Sequence, residues 1–256
     1  MTERAKVLAV PNWSAVGLAL PELFDVSVHF HQGDRDHQRT VTAYSGSASQ
    51  VEAATFALTA AWLPQIDLRT QHGVHPRIGA LDVCPFVGEI DVPTVAQRFW
   101  REFGIPVTLY EKSAPGRSLP DVRRGLYPPD FGSTPHPQWG VTVIGQRDFL
   151  IALNVNLPTT DLTFARSVAR QIRLNREAGV PNFSGVRALA FSLDSRQMTQ
   201  ISMNITQPDE VSIDELVGWI RDQIPVSGTT ELIGVIRHRD LASATVLDVQ
   251  DSQIVD

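Results

Sequence analysis

The feature that most constrains this chain is the order in which its hydrophobic periodicity changes across the second half. Residues 141–144 and 149–156 read as strands. Residues 161–179 read as a helix, capped by Asp161 and ended by Gly179. Two strands follow at 186–193 and 200–204, then a helix over 212–224 opened by Ser212 with Glu215 in the capping-box position, then a strand at 231–236. The resulting β-α-β-β-α-β order predicts a split βαβ unit of the ferredoxin-like kind, an α/β (α+β) fold.

The first half reads as a distorted version of the same unit with an added element. Strands are expected at 7–10, 26–31, 39–45, 81–86 and 105–110. A short helix is expected at 15–20. A longer one starts at Ser49, with Glu52 three residues on, and puts Val51, Ala54, Thr55, Leu58 and Trp62 on one face. A third covers 94–103, stopped by Gly104. Pro115, Pro120, Pro128, Pro129, Pro135 and Pro137 then punctuate a stretch that predicts a surface-draped linker. The expected organisation is therefore two similar ferredoxin-like subdomains, 1–112 and 140–240, joined by a linker at 113–139. A polar tail at 241–256 is expected to fray.

Composition narrows the function classes. Twenty-two basic against 28 acidic residues leave a net charge of −6, which disfavours a protein that grips nucleic-acid phosphates. One cysteine excludes an internal disulfide framework and any cysteine-based zinc site within the chain. No apolar run is long enough to span a bilayer. Pro11, Asn12 and Trp13 break the apolar start too early for a signal peptide, so a cytoplasmic protein is expected.

Two groups of residues invite a chemical reading. Six of the seven histidines, His29, His31, His37, His72, His75 and His136, precede or lie in the proline-rich stretch. Four imidazoles suit a tetrahedral zinc ion; hydrogen-bonded or surface histidines are the alternative. The segment 71–86 sets His75, Arg77 and Asp82 among glycines and prolines that restrict its shape, as a catalytic histidine requires, although a structural loop has the same composition.

The segment Gly73-Val-His-Pro-Arg-Ile-Gly-Ala-Leu-Asp-Val-Cys-Pro-Phe86 resembles the signature G-E-H-P-R-M-G-A-L-D-V-C-P-F of the formimidoyltransferase family. Val10-Pro-Asn-Trp-Ser14 and Asp36-His-Gln-Arg-Thr-Val41 resemble its C-V-P-N-F-S and D-H-N-R-T-V segments. Leu119-Pro-Asp-Val-Arg-Arg-Gly125, Pro129-Asp-Phe-Gly132, Gln200-Ile-Ser-Met-Asn204 and Glu231-Leu-Ile-Gly-Val235 continue the likeness in order. The resemblance covers nearly the whole chain.

What the resemblance implies is transfer of a formimino group from N-formiminoglutamate to N5 of tetrahydrofolate, a co-substrate, with no metal. It implies a homodimer of two-subdomain chains with the folate in the cleft between subdomains. The signature histidine, the family's proposed base, maps onto His75. Asn154, Asn156, Gln200 and Asn204 lie on second-half strands and suit a pterin edge; hydrogen bonds between strands are the alternative. Arg39 and Arg77 suit carboxylates of folate or the donor, with a structural salt bridge as the alternative. Val74 stands where the family typically has glutamate, and Gln38 where it has asparagine. These departures predict a retained folate frame with an altered donor side, or a folate-binding module without catalysis.

Overall fold

A computed structural model describes residues 6–23, 25–223 and 228–256. The fold is mixed α/β and divides into two compact units at Arg147/Asp148.

The first unit is built on a seven-stranded sheet. Its elements are β1 (Val7–Ala9), β2 (Asn12–Trp13), β3 (Ser27–Asp34), β4 (Arg39–Gly46), α1 (Ala48–Trp62), β5 (Leu81–Val87), α2 (Val92–Phe103), β6 (Val107–Leu109), α3 (Leu119–Arg123) and β7 (Thr142–Gln146). Pro11 interrupts one strand position into β1 and β2, and both pieces pair antiparallel with β4 and β5. On one side β3 forms an edge against β4. On the other, β7 lies between β5 and β6, parallel to both. Helix α1 is capped by Ser47, not Ser49: the Ser47 hydroxyl accepts from Gln50 N, and the Gln50 side chain returns to Ser47 N. Its buried face contains Val51, Ala54, Thr55, Leu58 and Trp62, as the spacing predicts.

Three sequence expectations change here. Residues 15–20 are not helical. Ala15 and Leu18 are buried in the core, and the carbonyls of Ala15, Leu18 and Ala19 bond side chains of Thr40, His31 and Trp62. Those partners replace the intrahelical bonds a helix would have formed. The strand at 142–146 belongs to the first sheet, not the second half. The stretch expected as a linker is part of the first unit: Val122 of α3 packs with Val83, Tyr110 and Val143, covering a second patch of the sheet. Apolar strand residues on both faces must be covered, and α3 supplies that cover.

The second unit contains β8 (Ile151–Leu157), α4 (Leu162–Glu177), β9 (Val186–Leu193), β10 (Met198–Ile205), α5 (Ile213–Asp222) and β11 (Thr229–Ile233). The sheet order is β11-β8-β10-β9, antiparallel throughout. Asp161 and Ser212 cap the two helices through Phe164 N and Glu215 N. Ile224, the expected end of the second helix, lies outside the described residues. Alternation sends Leu153, Val155, Ile201 and Met203 into one core with Ala165, Ile172, Leu216 and Ile220 from the helices. The tail is also ordered. Strands β12 (Ile236–Arg237) and β13 (Ile254–Val255) pair in parallel, and buried Gln253 donates to the Gly234 carbonyl at 2.9 Å. Among the described residues no helix is long and apolar enough to cross a membrane.

Candidate active site

The loop carrying His75 runs from α1 to β5 and has no regular ladder, so side chains satisfy its backbone. The turn at 35–38, between β3 and β4, is its support. Gln38 Oε1 accepts from His72 N at 2.6 Å and Gly73 N at 3.0 Å, and Val74 N donates to the Asp36 carbonyl at 3.0 Å. Gly73 is required by close approach: a Cβ there would lie 2.1 Å from the His37 carbonyl oxygen. Arg77 folds back beneath the loop. Its guanidinium donates to the carbonyls of Gly73, His75 and His37 and to Gln71 Oε1. The loop therefore wraps around an arginine that has no carboxylate within salt-bridge distance among the described residues.

Below the loop lies a buried charge cluster. Asp82, the second residue of β5, is fully buried. Its Oδ2 meets Arg39 at 2.6 Å and also Arg123 of α3, and its Oδ1 accepts from Ile78 N at 2.8 Å. Arg39 further donates to Asn12 Oδ1 at 3.0 Å and to the Pro76 carbonyl at 3.1 Å. A buried carboxylate must be paired and hydrogen-bonded to remain ionised, and here both conditions hold. Burial alone would raise the Asp82 pKa; Arg39 and Arg123 outweigh it and hold the carboxyl below its ordinary value. Burial lowers the Arg39 guanidinium to about 10, against the opposing pull of Asp82.

His75 receives the result of both arrangements. Its Nδ1 lies 2.9 Å from the Pro76 carbonyl, the same oxygen that Arg39 contacts. A carbonyl oxygen only accepts, so the neutral ring carries its proton on Nδ1 and its lone pair on Nε2. The His37 ring stands edge-on at 5.7 Å between centroids. Burial, then the charges of Arg39 and Arg123, push the imidazole well below its ordinary pKa; the bond to Pro76 opposes them weakly. The shift favours the neutral imidazole. Val74, beside it, exposes 41% of its surface.

The predicted second-half residues share one sheet face, opposite the helices of their unit. In the β8–β10 register Gln200 faces Asn156, Ser202 faces Asn154, and Asn204 faces Ala152. Gln200 is fully buried and donates to Asn156 Oδ1 at 2.8 Å. Asn154 donates to Glu231 Oε2 of β11 at 3.4 Å. Asn204 is exposed, beside Arg187 in the ladder. Three of the four amides thus make side-chain bonds across strands, and the pleat brings all four to one surface.

Apart from the His37–His75 ring pair, the histidines named from the sequence do not gather into a cluster among the described residues. His29 bonds Ser45, His31 bonds Thr42 and the Leu18 carbonyl, and His136 stacks on Trp139 at 4.3 Å. Among the described residues no three His, Cys, Asp or Glu side chains are grouped as a metal site would need. Arg39, expected as a carboxylate clamp for a ligand, already holds Asp82. The sequence alone assigns no role to Asp82, Arg123, Asn12 or Glu231. Asp82 did carry a signal: a carboxylate between Leu81 and Val83 in an apolar strand demands a buried cation.

Residues 15–147 match the pattern of the formiminotransferase domain, N-terminal subdomain, and the match ends where the first compact unit ends. The chain is 35% identical over 208 residues to glutamate formimidoyltransferase of Streptococcus pyogenes serotype M1, covering 72% of this chain and 68% of that protein. It is 32% identical over 238 residues to glutamate formimidoyltransferase of Thermoplasma acidophilum, covering 81% and 77%. Against formimidoyltransferase-cyclodeaminase of Sus scrofa it is 38% identical over 243 residues, which is 80% of this chain but 44% of that longer protein. The chain belongs to the formiminotransferase family, a family of group-transferring enzymes.

Proposed function

We propose that this transferase moves a formimino group between an amino-acid-type donor and N5 of tetrahydrofolate, with His75 as the acid–base group. N5 is a neutral amine that becomes cationic on attacking the amidine-like carbon, so a nearby base must take its proton. The departing amino nitrogen needs a proton returned. A neutral imidazole with its lone pair on Nε2 takes the first proton and, as imidazolium, returns it. The observation that carries the reading is the His75 Nδ1 contact to Pro76, which sets that tautomer, in a family of formimidoyltransferases.

The sheet face of Asn154, Asn156, Gln200 and Asn204 offers donors and acceptors of the kind a pterin edge requires. The β-α-β-β-α-β order of the second unit supports reading it as a ferredoxin-like subdomain, and the first unit as an elaborated relative. Family membership extends the proposal to a cytoplasmic homodimer acting on small molecules, with no metal.

Turnover of formiminoglutamate and tetrahydrofolate beside a His75→Ala control tests this. Loss of the acid–base group should lower turnover by about 10²–10⁴-fold. Near-normal turnover in the variant would remove His75 from the role.

A second reading concerns the donor and is favoured by the exposure of Val74. An apolar face where the family carries glutamate forfeits a charge-assisted hydrogen bond of about 1.5–3 kcal/mol. The same folate frame would then serve a less polar or differently charged donor. Val74→Glu should raise efficiency with formiminoglutamate; efficiency already high in the wild type and unimproved by the change would exclude this reading.

A further inference from the structure

Asp82 and Arg39, both buried, are joined by a run of contacts to the ring of His75. Asp82 is anchored to both sides of the loop: directly through Ile78 N, and through Arg39 to the Pro76 carbonyl. That carbonyl is the acceptor for His75 Nδ1. Arg39 is itself held from a third direction by Asn12. The chain of contacts Asp82–Arg39–Pro76–His75 crosses from β5 to β4 and into the loop.

We infer that Asp82 and Arg39 are positioning residues for His75, holding the loop carbonyl that keeps the imidazole proton on Nδ1 and the lone pair on Nε2. The inference rests on the reading of His75 as the base.

Charge supplies a second function for the same cluster. The charged and titratable groups around the imidazole are Arg39 from β4, Arg123 from α3, His37 from the 35–38 turn and Arg77 within the loop, with Asp82 of β5 behind the arginines. Two arginines meet one aspartate, so the cluster keeps a net positive charge beside the ring. An imidazolium is disfavoured there. Removing Arg123 should relieve that repulsion without touching the Pro76 carbonyl. Removing the Asp82 charge should worsen the repulsion and release the carbonyl. The titration reports the charges of the two kinds of partner, whereas the tautomer reports whether the Pro76 carbonyl is still held against Nδ1.

Nitrogen chemical shifts of ¹⁵N-histidine in the full chain report both tautomer and titration. In the wild type His75 should show the Nδ1–H form. In Asp82→Asn and in Arg39→Lys, whose point-charge ammonium cannot reach three partners at once, the Nε2–H form should appear. Turnover should fall by about 10²-fold, the loss expected of a group displaced by an ångström, and in kcat more than KM. Arg123→Gln should keep the Nδ1–H tautomer and titrate at higher pH than the wild type. If Asp82→Asn does not fold, Arg39→Lys and Arg123→Gln decide. Persistence of the wild-type tautomer in every folded variant of Asp82 and Arg39 overturns the inference, as does an unmoved titration in Arg123→Gln. Full turnover in His75→Ala would instead overturn the assignment of the base, and the tautomer measurement would still decide the positioning.

Discussion

The His75 loop and the amide face of the second sheet solve the same problem of presenting polar groups in defined places, by opposite means. The sheet face needs little beyond alternation: every second residue of β8 and β10 points the same way, and the ladder sets the spacing. The loop has no such ladder. Its shape depends on a glycine without a Cβ, an arginine satisfied by carbonyls and a buried aspartate shared by two arginines. Regular structure gives placement that tolerates the loss of single side chains. Irregular structure gives an electrostatically tuned environment that depends on several residues at once.

That contrast is open to measurement, and Gly73→Ala should strain it most. The added methyl carbon would meet the His37 carbonyl at 2.1 Å, so the loop and the 35–38 turn must separate. Displacement of His75 on an ångström scale should cost about 10²-fold in turnover. A variant with unchanged steady-state kinetics would show that the loop tolerates displacement as the sheet does.

On the sheet, Gln200→Leu should destabilise by about 1–3 kcal/mol, because the Asn156 side-chain oxygen loses its donor inside a buried layer. Urea unfolding should show this as a lower midpoint with an unchanged slope. A midpoint equal to the wild type would mean that water replaces the lost partner.

The two regions should also separate in their response to pH. His75 is shifted below the ordinary imidazole value near 6.5. Its neutral form therefore persists to lower pH in the folded chain than in the unfolded one. Across that window the unfolded chain binds more protons, so the stability this shift contributes is present above about pH 6.5 and is lost as pH falls towards the folded value. The acid limb of kcat/KM should accordingly lie below the ordinary imidazole range. The amides do not titrate there, so Gln200→Leu should leave the position of that limb unchanged. An acid limb at or above about 6.5 would contradict the assignment of His75 or its environment.

The smallest effect is expected at Asn204, which is exposed. Asn204→Ala should change stability by less than about 0.5 kcal/mol. If the amide face binds reduced folate, the same variant should show a smaller thermal shift with 5-formyltetrahydrofolate than the wild type. An equal shift would remove Asn204 from the folate contacts while leaving the other amides in play.

Much of this was legible from the chain alone, and the legible parts share a short range. Ser212 and Asp161 cap helices through bonds to residues three positions on. The strands of the second unit fall close to where period-two alternation places them, and the same alternation puts Asn154, Asn156, Gln200 and Asn204 on one face. The family likeness around His75 was visible because the signature is contiguous. The tail is ordered where its polarity predicts fraying, because the bond from Gln253 to Gly234 and the β12–β13 pairing have no local signal.

By itself, then, the sequence determined most of the local elements and the alternating faces, since each depends on neighbours within a few residues. Only the tertiary structure decided that β7 enters the first sheet between β5 and β6, that α3 covers Val83 and Val143, and that 15–20 stays non-helical, its carbonyls accepting bonds from three distant side chains. It also decided the function open to Arg39, whose partner Asp82 is 43 residues away. Such choices turn on which apolar surfaces still need cover and which buried charges still need a partner once the elements have packed. Those quantities belong to the assembled core and to no stretch of sequence within it.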